Sequence, residues 1–200
     1  MVALPQDNKP RTLPAPGEWT WDDYVAIADE DDTRELVDGY LVELEMPTEE
    51  HEYAVAMLII VLGNWAVPRG GRIYGSGYKV KVSAKRGAMP DVQYYRPGRR
   101  PPSQGLSEGT PDLAVEMISP SSGRADRVMK LEWYRSIGVP EYWLVDPLEH
   151  TLTRYVLSAD GHYSVMDTLA DDAVFEPTTT FPGLSIPLAT LWSMPVASET

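Results

Sequence analysis

The sequence predicts an α/β fold with a mixed central β-sheet flanked by helices, and three observations carry that reading. LAVEMIS (113–119) is a short β-forming run with almost no polar alternation, the pattern of a central strand covered on both faces. LAVEMIS and EYWLVDP (141–147) flank one helical segment through short connections, and a β–α–β unit of this kind makes its two strands parallel neighbours. RELVDGYLVELEM (34–46) and the pair TLTRYVLS and HYSVMDTL (151–158 and 162–169) read as hairpins, which add antiparallel strands and make the sheet mixed.

Taken in order, residues 1–17 carry four prolines and little apolar periodicity, so they are expected to form a flexible arm before one folded domain over 18–200. Thr20 begins a short helix, and Asp23 three residues on completes a capping box. Asp38-Gly39 is the turn dipeptide of the first hairpin. Residues 49–67 form a helix whose acidic first turn (Glu49, Glu50, Glu52) suits the helix dipole. GGRIYGSGYKVKVSA (70–84) is a glycine-broken strand, and its alternating lysines and valines predict one wet face. MPDVQYY (89–95) is the next strand, and 96–111 is a proline-rich loop. After LAVEMIS, Ser121 or Ser122 caps a helix that runs to about Ile137 and stops at Gly138-Val139-Pro140. EYWLVDP and the second hairpin, turned at Asp160-Gly161, follow it, and a short helix near Leu188–Trp192 ends the folded part.

Composition narrows the function. The chain of 200 residues has no cysteine and three histidines (His51, His150, His162). Disulfides and thiolate metal sites are therefore excluded, a histidine-rich zinc site is disfavoured, and any metal must be a hard cation held by carboxylates. The absent cysteines and the lack of a signal-peptide pattern point to a cytoplasmic location. The longest apolar stretch, 54–67, is interrupted by Gly63 and Asn64, so no membrane span is expected. Net charge is −13, which as a whole would repel a polyanion. The charge is unevenly placed, however. Residues 18–52 hold fourteen acids and one base, whereas 69–100 hold nine bases and one acid, Asp91. The basic segment is either a solvated hairpin that offsets the acidic face or an anion-binding surface around Asp91.

Glu116 interrupts a strand otherwise built for burial, which raises the question of its partner. Asp112 shares its strand face, but four residues at ~3.3 Å each put the two roughly 13 Å apart, too far to share one small ion. Asp112 fits better as a cap at the strand entry. Asp91 lies on a different strand, and neighbouring strands run only ~4.8 Å apart. If the two strands pair, Asp91 and Glu116 face each other, and like charges so placed call for a cation between them. The alternative is a salt bridge from Glu116 to a buried base. The candidate is Lys130, which falls in the middle of the apolar arc of its helix (Met129, Leu131, Trp133, Tyr134, Ile137). An ammonium there needs an anion, either Glu116 or, four residues back on its own helix, Asp126.

RELVDGYLVE, an EHE helix start, MPDVQYYR, and PDLAVEMISPSS followed by DRVMKLEWYRSIGVPEYWLVDP together resemble the Uma family of predicted restriction-endonuclease-like proteins, over roughly residues 20–192. The resemblance implies a restriction-endonuclease-like core of the PD-(D/E)XK type, dependence on Mg²⁺ (or Mn²⁺), and hydrolysis of phosphodiester bonds. Carried over by position, Asp91 and Glu116 are the metal ligands. The lysine expected two residues after the glutamate is replaced by Ile118, and Lys130 on the following helix matches its displaced counterpart. Glu35 matches a further catalytic or metal-shell position, with an ordinary hairpin residue as the alternative. His51 matches another polar position of the family, or is a helix cap.

On this reading the basic segment 69–100 holds the backbone of nucleic acid, with DNA as the expected partner. Tyr94 and Tyr95 are either stacking surfaces or strand packing. Apolar surface near Tyr142-Trp143 or Leu191-Trp192 would support a homodimer. The rival readings are a non-catalytic binding or assembly module that keeps the fold, and a hydrolase of small phosphoesters. Ser119, Ser121 and Ser122 have no placed histidine, which argues against serine catalysis.

Overall fold

The computed structural model describes residues 12–29, 32–99, 106–107, 109–120 and 124–194. Helix α1 (Trp21–Val25) is followed by β1 (Arg34–Val37), β2 (Tyr40–Glu43) and α2 (Glu49–Ala66), which runs into a 3₁₀ turn at Val67–Arg69. Then come β3 (Arg72–Gly75), β4 (Lys79–Ser83), β5 (Arg86–Ala88), β6 (Val92–Tyr95), β7 (Leu106–Ser107), β8 (Leu113–Met117), α3 (Arg124–Ser136), β9 (Glu141–Asp146), β10 (Thr151–Leu157), β11 (Tyr163–Ala170), β12 (Val174–Phe175) and β13 (Ile186–Pro187), with a 3₁₀ turn at Leu188–Leu191.

The strands form a six-stranded sheet in the order β11-β10-β9-β8-β6-β3, a five-stranded sheet in the order β2-β1-β5-β4-β7, and the small pair β12-β13. In the larger sheet β8 and β9 are parallel and the other pairs antiparallel, so the sheet is mixed, as its sequence implies. β8 lies inside this sheet. Its residues Leu113, Val115 and Met117 pack on one face against Ala54, Leu58 and Leu62 of α2 and the C-terminal Phe175, Phe181 and Leu184. Ala114 points to the opposite face, under Trp133 and Tyr134 of α3. Side chains alternate along a strand, so Glu116 follows Ala114 onto the α3 face. The five-stranded sheet meets the same cluster through Val37, Val82 and Ala88. Helix α3 therefore sits where the two sheets come together.

The local signals that built these elements are visible. The Thr20 hydroxyl accepts the Asp23 N–H at 3.2 Å, and the Asp23 carboxylate accepts the Thr20 N–H at 3.2 Å, which completes the capping box. Asp38 and Gly39 both adopt positive φ (47° and 84°), which the tight hairpin turn requires. A side chain on Gly39 would also place its Cβ 2.4 Å from the Gly17 carbonyl oxygen.

Several expectations are corrected. The segment 70–84 divides between β3 and β4, which belong to different sheets, and β5 was not anticipated. Its middle residue is Gly87, whose Cβ position is taken by the Trp21 ring, so the run carries little β signal. The lysine face of β4 is not wet at Lys79. That side chain is buried, its ammonium donates to the Asp32 carbonyl, and it lies 5.5 Å from the centre of the Tyr24 ring. The loop 96–111 contains β7, paired in parallel with β4. The C-terminal helix is a 3₁₀ turn, and Ser121 and Ser122 lie outside the described residues. The segment Glu49–Arg69 is long and apolar enough to cross a membrane, contrary to the sequence-based expectation. In the fold, Ala54, Val55, Leu58, Leu62, Trp65 and Ala66 from this helix enter the core. Tyr142, Trp143 and Leu191 are buried, so they cannot form the dimer surface expected of them.

The far side of the six-stranded sheet is tied by a buried ion pair. Arg154 donates to both Glu141 oxygens, at 3.0 and 2.6 Å, while the Trp143 indole N–H also donates to Glu141 at 2.9 Å. Truncating one member strands the other in the interior. We expect Glu141→Ala to cost about 3–5 kcal/mol in urea unfolding. Asp167, the more exposed second partner of Arg154 at 3.1 Å, should cost no more than ~1 kcal/mol when replaced by alanine.

Candidate active site

The β6–β8 register pairs Val92 with Val115, which places Asp91 opposite Glu116 one step further along. Asp91 directly precedes β6. Its Oδ2 accepts the Met117 N–H at 2.7 Å, so the β8 backbone holds the carboxylate in place. Its Oδ1 lies 3.4 Å from Nε2 of His51. His51 occupies the first turn of α2, where its backbone N–H donates to the Thr48 cap at 3.3 Å.

Glu116 is held from the other side. Its Oε1 accepts the Tyr134 hydroxyl and, at 3.3 Å, the Lys130 ammonium. Lys130 and Tyr134 are four residues apart on α3 and so present one face to the sheet. Lys130 also donates to Oε1 of Glu35 at 2.5 Å, and that oxygen accepts the Met89 N–H at 2.7 Å. The ammonium thus bridges β1 of one sheet and β8 of the other. Exposure separates the roles: the side chains of Glu35 and Lys130 are 4% and 7% exposed, whereas Asp91 and Glu116 each keep 14%. The first pair is interior framework, and the second opens toward solvent.

The electrostatics follow from this packing. Burial pushes the Glu116 carboxyl up to about 8; Lys130 pulls it down, and the neighbouring Asp91 and Glu35 push it up further. Burial and the Glu116 charge hold the Tyr134 phenol well above its ordinary range, so it remains a donor. Burial alone would lower His51, but the Asp91 and Glu52 carboxylates together outweigh it and leave the imidazole raised. A cavity of about 20 Å³ adjoins Glu116, lined also by Met117, Ile118, Arg127, Lys130, Tyr142 and Leu144. That is room for about one water molecule.

The four candidates Asp91, Glu116, Lys130 and Glu35 are therefore brought together. Asp112 stands apart, as its spacing required. It accepts the Arg96 N–H at 2.9 Å and pairs with the Arg96 and Arg99 guanidiniums at 3.1 and 3.4 Å. The side chain of Asp126 lies outside the described residues. Sequence reasoning missed Tyr134 as a partner of Glu116 and Arg127 as a cavity residue. The signal was their spacing of four and three from Lys130.

The basic segment is mostly occupied. Lys79 is buried, Arg86 pairs with Asp38 at 2.5 Å, Arg96 and Arg99 pair with Asp112, and Lys81 lies 3.8 Å from Asp22. Arg100 lies outside the described residues. Tyr94 and Tyr95 are buried, Tyr94 against Trp65 and Phe181, and offer no stacking surface.

Residues 21–189 match the Uma2 family, described as "Putative restriction endonuclease". The chain belongs to this family. A search of the curated proteins finds no match. Among solved structures, the chain is similar to one described as a "putative nuclease belonging to DUF820" from Anabaena variabilis, at 18% identity and a TM-score of 0.73. The likeness covers 87% of this chain and 97% of that one, and it shows a shared fold.

Among the described residues there is no group of three or more acidic or histidine side chains arranged to hold a metal ion. The Asp91 and Glu116 carboxylates are hard-oxygen donors that would still suit one. Their positions are opposed in the β6–β8 register, and the Asp91 charge is near enough to raise Glu116. Mg²⁺ often takes one or two carboxylates and keeps several waters, so two suffice.

Glu116 titrates near 4.3 in the unfolded chain and near 8 in the folded one. Between these values the folded state binds more protons, so this group's contribution to stability falls as pH rises. In metal-free protein, the melting temperature of wild type relative to Glu116→Gln should therefore decline from pH ~5 to ~8. Added Mg²⁺ should restore it at the upper pH but not at the lower. A flat difference across the range would contradict this assignment.

Proposed function

We propose that this Uma2 protein is a metal-dependent nuclease that hydrolyses phosphodiester bonds of DNA, with Asp91 and Glu116 holding Mg²⁺ or Mn²⁺. The carrying observation is the β6–β8 register that opposes those carboxylates, with the Lys130 ammonium 3.3 Å from Glu116. Family membership supports the same reaction class. A divalent ion bound there supplies an acidified water and neutralises phosphate charge.

The chain's own groups do the rest. The Met117 N–H and His51 orient Asp91, and Tyr134 orients Glu116. Glu35 holds Lys130 in place, and the fixed ammonium stabilises the charge that develops on the phosphate oxygens. Arg72, which is exposed, and Arg69, exposed but donating to the Trp65 carbonyl at 2.8 Å, remain from the basic segment to meet the nucleic-acid backbone. Ile118 at the usual lysine position favoured an inactive binding module. Lys130 reaches the same carboxylate from α3, which supports the catalytic reading over that one.

The test is cleavage of plasmid and single-stranded DNA with Mg²⁺, with Mn²⁺ and with EDTA. Asp91→Asn and Glu116→Gln should each reduce metal-dependent cleavage by about 10²-fold or more, in variants that remain folded at the assay temperature. Wild-type rates in both variants would refute the assignment.

A further inference from the structure

One guanidinium at this site has no role in the mechanism. Arg127 lies three residues before Lys130, and positions 127, 130 and 134 run along one face of α3. The latter two bond to Glu116. Arg127 is half-buried and lines the cavity beside Glu116, Met117 and Ile118, yet among the described residues it forms no ion pair or hydrogen bond. Among these residues Arg69 and Arg72 also pair with no carboxylate but are exposed, whereas Arg127 is half-buried at the site. Arg34, Arg86, Arg96, Arg99, Arg135 and Arg154 each pair with a carboxylate, as an excess of 30 acids over 17 bases makes easy. A guanidinium that lines the cavity beside Glu116 but bonds to no carboxylate has its donors turned to something else.

A polyanion approaching Asp91, Glu116 and Glu35 needs a compensating cation. Lys130 is one cation already shared by two of those carboxylates, so it cannot by itself balance the incoming phosphates. A guanidinium grips two phosphate oxygens at once, which an ammonium cannot match in geometry. We propose that Arg127 is the phosphate clamp of this site: it binds the non-bridging oxygens of a nucleic-acid backbone phosphate at the cavity mouth and sets the register of the strand over Asp91 and Glu116. This assignment rests on the nuclease reading and adds the residue that seats its substrate.

The experiment is binding of the full chain to a fluorescently labelled DNA duplex and to the matching single strand, followed by anisotropy over a salt series. Ca²⁺ replaces Mg²⁺ there, and cleavage kinetics are measured separately in Mg²⁺. For the duplex, Arg127→Gln should weaken binding about tenfold at 0.1 M salt and lower the salt slope by about 0.9, the loss of one phosphate contact. For the single strand the slope should fall by about 0.7. Arg127→Lys should keep the slope and weaken binding a few-fold. Arg135→Gln removes the same charge from a guanidinium already taken by Glu132 and should change neither. In Mg²⁺, Arg127→Gln should raise KM with kcat little changed.

Wild-type affinity and slope in Arg127→Gln would overturn the clamp while leaving the nuclease reading intact. A wild type that binds DNA through Arg127 but cleaves nothing in Mg²⁺ or Mn²⁺ would sink the nuclease reading and keep the clamp. A wild type that binds neither DNA form would overturn the clamp as well.

Discussion

The Lys130 ammonium, shared between Glu35 and Glu116, is the interaction on which the rest of this structure depends. It is the point where the two sheets, through β1 and β8, meet the same helix. Three charges withdrawn from water cost several kcal/mol each unless their partners are close and well oriented. That requirement fixes the rotation of α3 over the sheet: Lys130 must reach both carboxylates, which brings Tyr134 onto Glu116 and Arg127 to the cavity. A turn of α3 that satisfied only its apolar arc would leave the ammonium buried without an anion.

The same arrangement is deliberately short of positive charge. Asp91, Glu116 and Glu35 outnumber the single ammonium between them, and burial first, with the charges of Asp91 and Glu35 after it, drives the Glu116 carboxyl up to about 8 against the pull of Lys130. A hydrophobic core gains nothing from such a cluster. On the proposed function, a divalent cation held by the two more exposed carboxylates would offset its cost to the folded chain and turn that cost into affinity for the ion. Functional sites commonly hold strain of this kind while the surrounding elements agree on the fold. Here the agreement is plain: β8 packs into apolar clusters on both faces, and Asp91 is fixed by a backbone N–H rather than left to rotate.

The unbroken apolarity of LAVEMIS and its short links to EYWLVDP made β8, α3 and β9 legible, and with them the parallel pair at the heart of the sheet. Strand spacing set Asp112 aside and put Asp91 opposite Glu116, and the lysine inside the apolar arc of α3 made the Lys130–Glu116 salt bridge legible as well. What the sequence hid has physical reasons. A three-residue strand centred on Gly87 has almost no β signal, because its meaning lies in the Trp21 ring pressed against it. Lys79 alternates like a surface residue, yet it is buried with its ammonium on a carbonyl and an aromatic ring, contacts made by distant parts of the chain. Tyr94, Tyr142 and Trp143 are aromatic in either role, and only packing told core from surface. Tyr134 read as packing because a tyrosine at an apolar position shows nothing of where its hydroxyl goes.

The most direct test of this account is an anomalous-scattering map from crystals soaked in Mn²⁺. The account predicts one strong peak within coordination distance of a carboxylate oxygen of Asp91 and of Glu116, with Lys130 still in contact with Glu35. A map with no peak between those two side chains, or with manganese bound only elsewhere, would contradict it.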